Sequence, residues 1–234
     1  MIEITFPDGA SRSYEINSTP FDIANSISEG LSRNVISASF NGNTIETTTQ
    51  LKENGKLIFY TWNEQEGKKA FWHSSAHVLA QVLEELYSGI KLTIGPAISN
   101  GFYYDVDFGN HTMSEKDFPK IEKRMIEISR EKHLFKLKSI SKKEALDFYK
   151  NHKNEYKIEL IENLEDGTIS FCNHDNFTDL CRGGHLPNTG FIKAVKLLSV
   201  AGAYWRADQS KTQLTRVYGI SFPKQKELNE YLEL

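Results

Sequence analysis

Within the first 60 residues the hydrophobic period changes several times, and that order constrains the fold more than any other feature. Ile2, Ile4 and Phe6 alternate with polar residues, as in a half-buried strand, and Pro7-Asp8-Gly9 ends the pattern. SRSYEI at 11–16 alternates again and predicts the second arm of a hairpin. STPFDIANSIS at 18–28 reads as a helix, with Thr19 as cap, Pro20 at the first helical position and Asp22 in the first turn. Asn41-Gly42 lies between two β-rich runs, a strong hairpin signal. KLIFYTW at 56–62 closes the region as a largely buried strand. The sum is a small α+β domain over residues 1–62, one sheet with a helix across it.

The polar stretch Asn63–Lys69 then reads as a linker, and a helix is expected over Ala70–Tyr87. KLTIGPAISNGFYYDVDFG at 91–109 predicts a strand, a Gly-Pro turn and an aromatic strand. Ile121, Met125 and Ile128 stand at helical spacing in an amphipathic segment. YKIELIE at 156–162 is expected to be a strand, residues 167–200 alternate short strands with loops, and AYWRAD and TQLTRVYGISF read as two more strands. The tail KQKELNEYLEL is helical in pattern.

Several classes are excluded or disfavoured. No apolar run approaches the roughly 18 residues that span a bilayer. The opening MIEITFPDG is acidic and alternating, which argues against a signal peptide and for a cytosolic chain. With only Cys172 and Cys181, the chain is no disulfide scaffold. There is no GxxxxGK[ST] phosphate loop, no GxSxG elbow and no GxGxxG turn.

The net charge of −3 hides a pattern. Residues 111–153 carry 12 basic and 7 acidic side chains, and 182–216 carry six and one. Between them, 154–181 hold one basic residue, Lys157, against seven acidic. Basic segments flanking an acidic one suit phosphate contacts around a site of opposite polarity, although a mixed solvated surface explains the same charges.

HSSAH at 73–77 sets two histidines four apart, on one face of the expected helix and beside its apolar stripe (Trp72, Ala76, Leu79, Leu83, Leu86). Alone, such a pair is most often two boundary histidines. CRGGH at 181–185 again sets a thiol and an imidazole four apart, on a loop whose double glycine lets backbone approach a ligand closely. His73, His77, Cys181 and His185 are together a credible tetrahedral zinc set. Three readings stay open: a closed structural zinc, a zinc site in which one ligand lets go, and a metal-free cluster that positions water and substrate. Lys157, with Asp179 two residues before Cys181, is either half of an ion pair or an ammonium that stabilises oxyanion charge during acyl transfer. Tyr103 and Tyr104 on a strand must face opposite ways, so at most one lines a site.

HSSAHVLAQVL, IGPAISNGFYYDVDF, YKIELIE and DLCRGGHLPNTG together resemble the N-terminal half of the bacterial threonyl-tRNA synthetases. The resemblance covers nearly the whole chain in order. It implies a ubiquitin-like β-grasp (TGS) domain at 1–62 and a larger α+β editing domain at 63–223, the second additional domain shared with alanyl-tRNA synthetases. Residues 224–234 would begin a helix leading to the family's catalytic core, whose ATP motifs and own zinc are absent, as is its anticodon-binding domain. The implied activity is hydrolysis of the ester in seryl-tRNA(Thr), in the cytoplasm, by a module that cannot itself charge tRNA. Its partner would be the acceptor end of tRNA(Thr) carrying serine, with no membrane involved. The parent enzyme would be a homodimer and this chain alone a monomer.

Carried over residue by residue, His73 would orient or deprotonate the attacking water, with His77 beside it, and Lys157 would stabilise the oxyanion and leaving group. Asp179 and His185 would hold the seryl ammonium or hydroxyl, Cys181 would limit side-chain size, and Tyr104 would line the substrate side. The family's threonyl members favour the metal-free reading, with no cofactor needed for editing; zinc on His73, His77, Cys181 and His185 is the alternative. A non-catalytic RNA-binding module and a structural zinc domain are the rival readings.

Overall fold

The computed structural model describes all 234 residues. The chain divides into two compact units. The smaller comprises Met1–Phe71 with the loop segment Gly183–Pro187; the larger comprises Trp72–Arg182 and Asn188–Leu234.

The smaller unit carries β1 (Ile2–Thr5), β2 (Ser11–Tyr14), α1 (Pro20–Ile27), α2 (Glu29–Asn34), β3 (Ser37–Phe40), β4 (Asn43–Ile45) and β5 (Gly55–Tyr60). Its sheet runs β2-β1-β5-β3-β4, with β1 and β5 parallel at the centre and every other pair antiparallel. Ile2, Ile4, Ala38 and Leu57 on the sheet close over Ile23 of α1 and Leu51. α1 starts as the sequence predicts. Thr19 accepts from the Asp22 amide, Asp22 caps back onto the Thr19 amide, and Pro20 opens the helix. Asn41 (φ 51°) and Gly42 (φ 83°) both occupy the left-handed region that a two-residue hairpin turn requires.

The expected linker is largely helix instead, because α3 runs over Gln65–Leu86. Its start is fixed by Glu64, whose carboxylate accepts from the amide and hydroxyl of Thr61 at 2.6 and 2.8 Å. Gly67 then passes so close to the Thr61 carbonyl that a Cβ there would meet it at 1.7 Å. The polar composition that suggested a linker is that of an exposed first turn.

In the larger unit, β6 (Lys91–Leu92), β7 (Ala97–Ile98), β8 (Gly101–Asp107), α4 (Phe118–Glu131), β9 (Lys136–Ser139), α5 (Lys142–Asn151), α6 (Glu155–Glu162), β10 (Ser170–His174), β11 (Phe177–Leu180), β12 (Ala194–Tyr204), β13 (Gln213–Phe222) and α7 (Gln225–Leu232) follow in order. One antiparallel sheet runs β12-β13-β8-β6, with β7 also on β8; a second runs β11-β10-β9. Ile121, Met125 and Ile128 of α4 are fully buried, as their spacing predicts.

YKIELIE is a helix, α6, and not a strand. Asn154 caps it by accepting from the Lys157 amide and donates its own side-chain N–H to the Leu92 carbonyl at 2.8 Å. The buried set is Tyr156, Lys157 and Ile161, the spacing of one helical face and not the alternation of a strand. AYWRAD is likewise only partly strand: β12 ends at Tyr204 and Trp205–Ala207 form a 3₁₀ turn with Arg206 at φ 55°.

Candidate active site

α3 is fixed first on one side. The Trp72 indole N–H donates to the Ser221 carbonyl at 3.0 Å, and the Ser75 and Ser221 hydroxyls lie 2.7 Å apart, all buried against the end of β13. That orientation turns the row His73, His77, Gln81 towards the β10–β11 hairpin. His73 Nε2 lies 3.4 Å from Cys181 Sγ, His77 Nδ1 lies 3.3 Å from Asp179 Oδ2, and the Gln81 amide donates to Asp175 and Asn176 at 3.3 Å each. Two rulers match here. Four helical residues rise about 6 Å and two strand residues about 6.8 Å, so i, i+4 on the helix meets j, j−2 on the strand.

Asp179 is the hub. Its carboxylate accepts from the Tyr104 hydroxyl at 2.6 Å, from Lys157 Nζ at 2.5 Å, and from the Leu180 amide and Tyr149 hydroxyl at 2.8 and 3.4 Å. Burial alone would raise its pKa, but the Lys157 charge and the neighbouring His77 outweigh that and hold the carboxyl well below the usual range. The same carboxylate, after burial itself, raises the Tyr104 and Tyr149 hydroxyls, which remain donors. Burial would lower His77; the charge of Cys181 and the Asp179 carboxylate reverse that, so its pKa ends above the ordinary value.

Each of these side chains is placed by local chemistry. Lys157 is 2 % exposed because the Asn154 cap fixes it in the first turn of α6, aimed inward. Tyr104 alternates with Tyr103 on β8: Tyr104 is buried, while Tyr103 lies under the Arg216 guanidinium at 3.8 Å on the opposite face. Gly95 makes room for the Tyr104 ring, since a Cβ there would stand 2.1 Å from it. His73, His77, Thr93, Gly95, Pro96, Lys157, Asp179, Cys181 and Arg182 share the wall of one cavity of about 490 Å³ in the larger unit. Leu160, Leu164, Ile169 and Leu180 supply its apolar side.

Six of the seven residues singled out from the sequence (His73, His77, Tyr104, Lys157, Asp179 and Cys181) therefore meet within the larger unit. His185 belongs to the smaller one, where its Nδ1 lies 2.9 Å from Glu46 Oε1. Tyr149, Asn154, Gly95 and Glu46 were missed. The Asn154 cap is readable only once YKIELIE is taken as a helix, Gly95 shows in the sequence only as part of a Gly-Pro turn, and Tyr149 and Glu46 carry no local signal.

The donor set also fits a metal. His73 Nε2 and His77 Nε2 are 3.2 Å apart, close to the roughly 3.3 Å edge of a tetrahedron with zinc–nitrogen bonds of about 2.0–2.1 Å. The donor atoms of His73, His77 and Cys181 all lie within 4.8 Å of one another. Asp179 stands behind His77 as carboxylates stand behind metal-bound imidazoles. A second group, Glu131, His133 and Asp175, is more exposed.

Comparison with known proteins bears on this arrangement. Residues 2–61 match the TGS domain, and residues 169–218, which include Asp179 and Cys181, match the threonyl and alanyl tRNA synthetase second additional domain. A threonine–tRNA ligase of Flavobacterium psychrophilum is 65% identical over all 234 residues, and one of Flavobacterium johnsoniae is 67% identical over the same length. One of Porphyromonas gingivalis is 54% identical over 235 aligned residues. The chain spans 36% of the length of each of these relatives. No helix is long and apolar enough to cross a membrane. By sequence, the chain belongs with the N-terminal part of the bacterial threonyl-tRNA synthetases, as an α+β protein with a ubiquitin-like TGS domain followed by the second additional domain.

Proposed function

We propose that the larger unit is an editing site that hydrolyses the ester of seryl-tRNA(Thr), releasing serine and tRNA(Thr). The observation that carries this reading is the buried Asp179–Lys157 pair, braced by the Tyr104 hydroxyl, at one wall of a cavity that His73 also lines. A need for such a site follows from chemistry. Serine lacks one methyl of threonine, and binding alone rejects that difference by only about 1–3 kcal/mol, so a second, hydrolytic site is required. The parent enzyme's own ligation of threonine to tRNA(Thr) with ATP belongs to the remaining two thirds of the relatives' length.

In the reaction, water adds to the ester carbonyl, the carbon–oxygen bond to the terminal ribose breaks, and the proton from water ends on the ribose oxygen. His73, the less buried of the two histidines, orients that water and takes its proton; such assistance contributes about 10²–10⁴-fold. Lys157 supplies positive charge to the developing oxyanion and leaving oxygen. Asp179 has its acceptor positions filled by Lys157, Tyr104 and Leu180 N–H, which supports a role in holding Lys157 and His77 in place. Cys181 sets the size of the amino-acid side chain, and the resemblance assigns His185 to the seryl amine or hydroxyl. Arg182, on the same wall, is placed to meet a phosphate of the acceptor end, and the basic segments 111–153 and 182–216 suit the rest of the tRNA.

The tetrahedral spacing of His73, His77 and Cys181 favours a second reading, in which these residues hold zinc. The ion would then polarise the carbonyl or the attacking water. Deacylation of seryl- and threonyl-tRNA(Thr) by the 234-residue chain, with and without chelator, separates the readings. Hydrolysis confined to the seryl ester, lost in His73→Ala and unchanged by chelator, is the expected outcome. Loss on chelation with recovery on zinc selects the second reading. Full activity in His73→Ala, or binding of tRNA that weakens steeply with salt and without hydrolysis, refutes both.

A further inference from the structure

The larger unit holds a second cavity, of about 340 Å³, and the only residues common to its wall and that of the first are Lys157 and Asp179. Glu84 of α3, Phe148 and Tyr149 of α5 with its C-cap His152, and Asn176 and Thr178 of the β10–β11 hairpin line it. Several polar groups there already have protein partners. Asp179 accepts from Lys157, Tyr104 and the Leu180 amide, the Tyr149 hydroxyl accepts from that amide and donates to Asp179, and Asn154 serves the Lys157 amide and the Leu92 carbonyl. Four groups keep capacity. Glu84, partly exposed, has no ion-pair or hydrogen-bond partner; burial, then the Asp179 carboxylate, raise its pKa against the pull of His152 and Lys157. His152 Nδ1 lies 2.8 Å from the Phe148 carbonyl, which can only accept, so Nδ1 carries the hydrogen and Nε2 of the neutral ring is an acceptor. Asn176 Oδ1 accepts from Gln81, which leaves Nδ2 to donate. The Thr178 hydroxyl accepts from Asn173 at 2.5 Å and keeps its own hydrogen to give.

We propose that this cavity is a non-catalytic site for a small free α-amino acid, its ammonium on Glu84 and His152 and its carboxylate on Asn176 and Thr178. Two acceptors, one of them a carboxylate without a counter-charge, and two donors around one volume are the complement of a zwitterion. An ammonium placed there neutralises Glu84, which no basic side chain of the chain does. The Lys157 charge is already matched by Asp179, so it does not cancel that attraction. Ile90, Leu92 and the Phe148 ring, on which His152 stacks at 4.2 Å, give the apolar remainder of the wall against which a short side chain can lie. A plain amine would leave the Asn176 and Thr178 donors unanswered, and a plain acid would leave Glu84 so. The site does not depend on the ester hydrolysis proposed for the first cavity, from which the Lys157–Asp179 pair divides it.

The test is a titration of the 234-residue chain with L-serine, followed by NMR at the His152 ring in ¹⁵N-histidine-labelled protein, with a His152→Gln spectrum for assignment. The expected result is a saturable shift of the His152 Nε2 resonance, present equally in His73→Ala, which alters only the first cavity. Glu84→Gln keeps the contour and removes the charge, and it should weaken serine binding roughly tenfold or more, the effect of losing one charge-assisted hydrogen bond. Ethanolamine, which lacks the carboxylate, and glycolate, which lacks the ammonium, should each bind roughly tenfold or more weakly than serine for the same reason. Absence of a saturable shift overturns the proposal, as does a shift of equal strength in Glu84→Gln. A shift lost in His73→Ala would place serine in the first cavity and overturn it too. Ethanolamine binding as tightly as serine would make the site one for simple amines and refute the amino-acid assignment.

Discussion

Replacing Lys157 by Met tests the hub of the larger unit. The substitution keeps most of the side chain's volume and removes its charge, so Asp179 keeps its Tyr104, Tyr149 and Leu180 donors and the neighbouring His77 but loses the ammonium. Lys157 and Asp179 are 2 % and 3 % exposed, so solvent cannot compensate. Breaking such a pair from one side costs about 3–5 kcal/mol. The remaining donors soften that, and we expect about 3 kcal/mol. Replacing both, as Lys157→Met with Asp179→Asn, removes the stranded charge and recovers at least half of the loss, an interaction energy of about 1.5 kcal/mol or more. Because two units unfold in one chain, the assay should follow only the larger one. Trp62 belongs to the smaller unit, so a Trp62→Phe background leaves Trp72 and Trp205 to report urea unfolding. The pH dependence has a definite sign. With its folded pKa depressed, Asp179 stabilises the wild type above about pH 4 and loses that contribution as pH falls towards the folded value. In Lys157→Met the carboxylate is destabilising at neutral pH and is relieved by protonation, so the gap between the two proteins narrows on acidification. Strict additivity of the two single substitutions, within about 0.5 kcal/mol, would refute the assignment of a buried pair.

Gly95→Ala drives a methyl into the Tyr104 ring, where overpacking costs about 1–3 kcal/mol, and it should lower deacylation by shifting the hydroxyl off Asp179; unfolding and rate measurements check both. Asn154→Ala removes the α6 cap and the donor to the Leu92 carbonyl, with an expected loss of about 2 kcal/mol. Asn154→Asp keeps the cap acceptor but sets a buried carboxylate oxygen against the Leu92 carbonyl, so its unfolding midpoint should also fall below the wild type's at neutral pH. Tyr104→Phe keeps the ring and removes the 2.6 Å bond to Asp179, and deacylation should drop while the larger unit's unfolding midpoint moves by no more than about 1.5 kcal/mol.

What was legible in the sequence followed from local rules. Thr19 with Asp22 announced a helix start, Asn41-Gly42 a hairpin, and Ile121, Met125 and Ile128 a buried face, because each signal lies within a turn or two of the backbone it controls. The chemistry of the site was legible as residue types at fixed spacing, HSSAH and CRGGH, before any geometry. α6 was misread because its inward face carries a lysine: Lys157 is as buried as a core aliphatic, and only its distant partner Asp179 makes that tolerable. Residues 63–69 were misread because an exposed helical turn and a linker share a composition. Glu46 was invisible for a further reason. A carboxylate in a threonine-rich stretch looks solvated until the fold brings a pair of left-handed glycines against it.

The matched steps of α3 and β11 have a consequence for how this protein can vary. Phe177, Asp179 and Cys181 face the helix because they share the parity of their residue numbers, and the two-residue turn at Asp175-Asn176 sets that parity. One residue added to the turn would exchange odd for even and offer Thr178 and Leu180 to the histidines, leaving every side chain in the sequence and none of the chemistry. Two added residues would restore the parity but move Asp179 about 6.8 Å along the strand, past His77. The length of an outlying turn is thus as strict a requirement of this pocket as the identity of any residue within it.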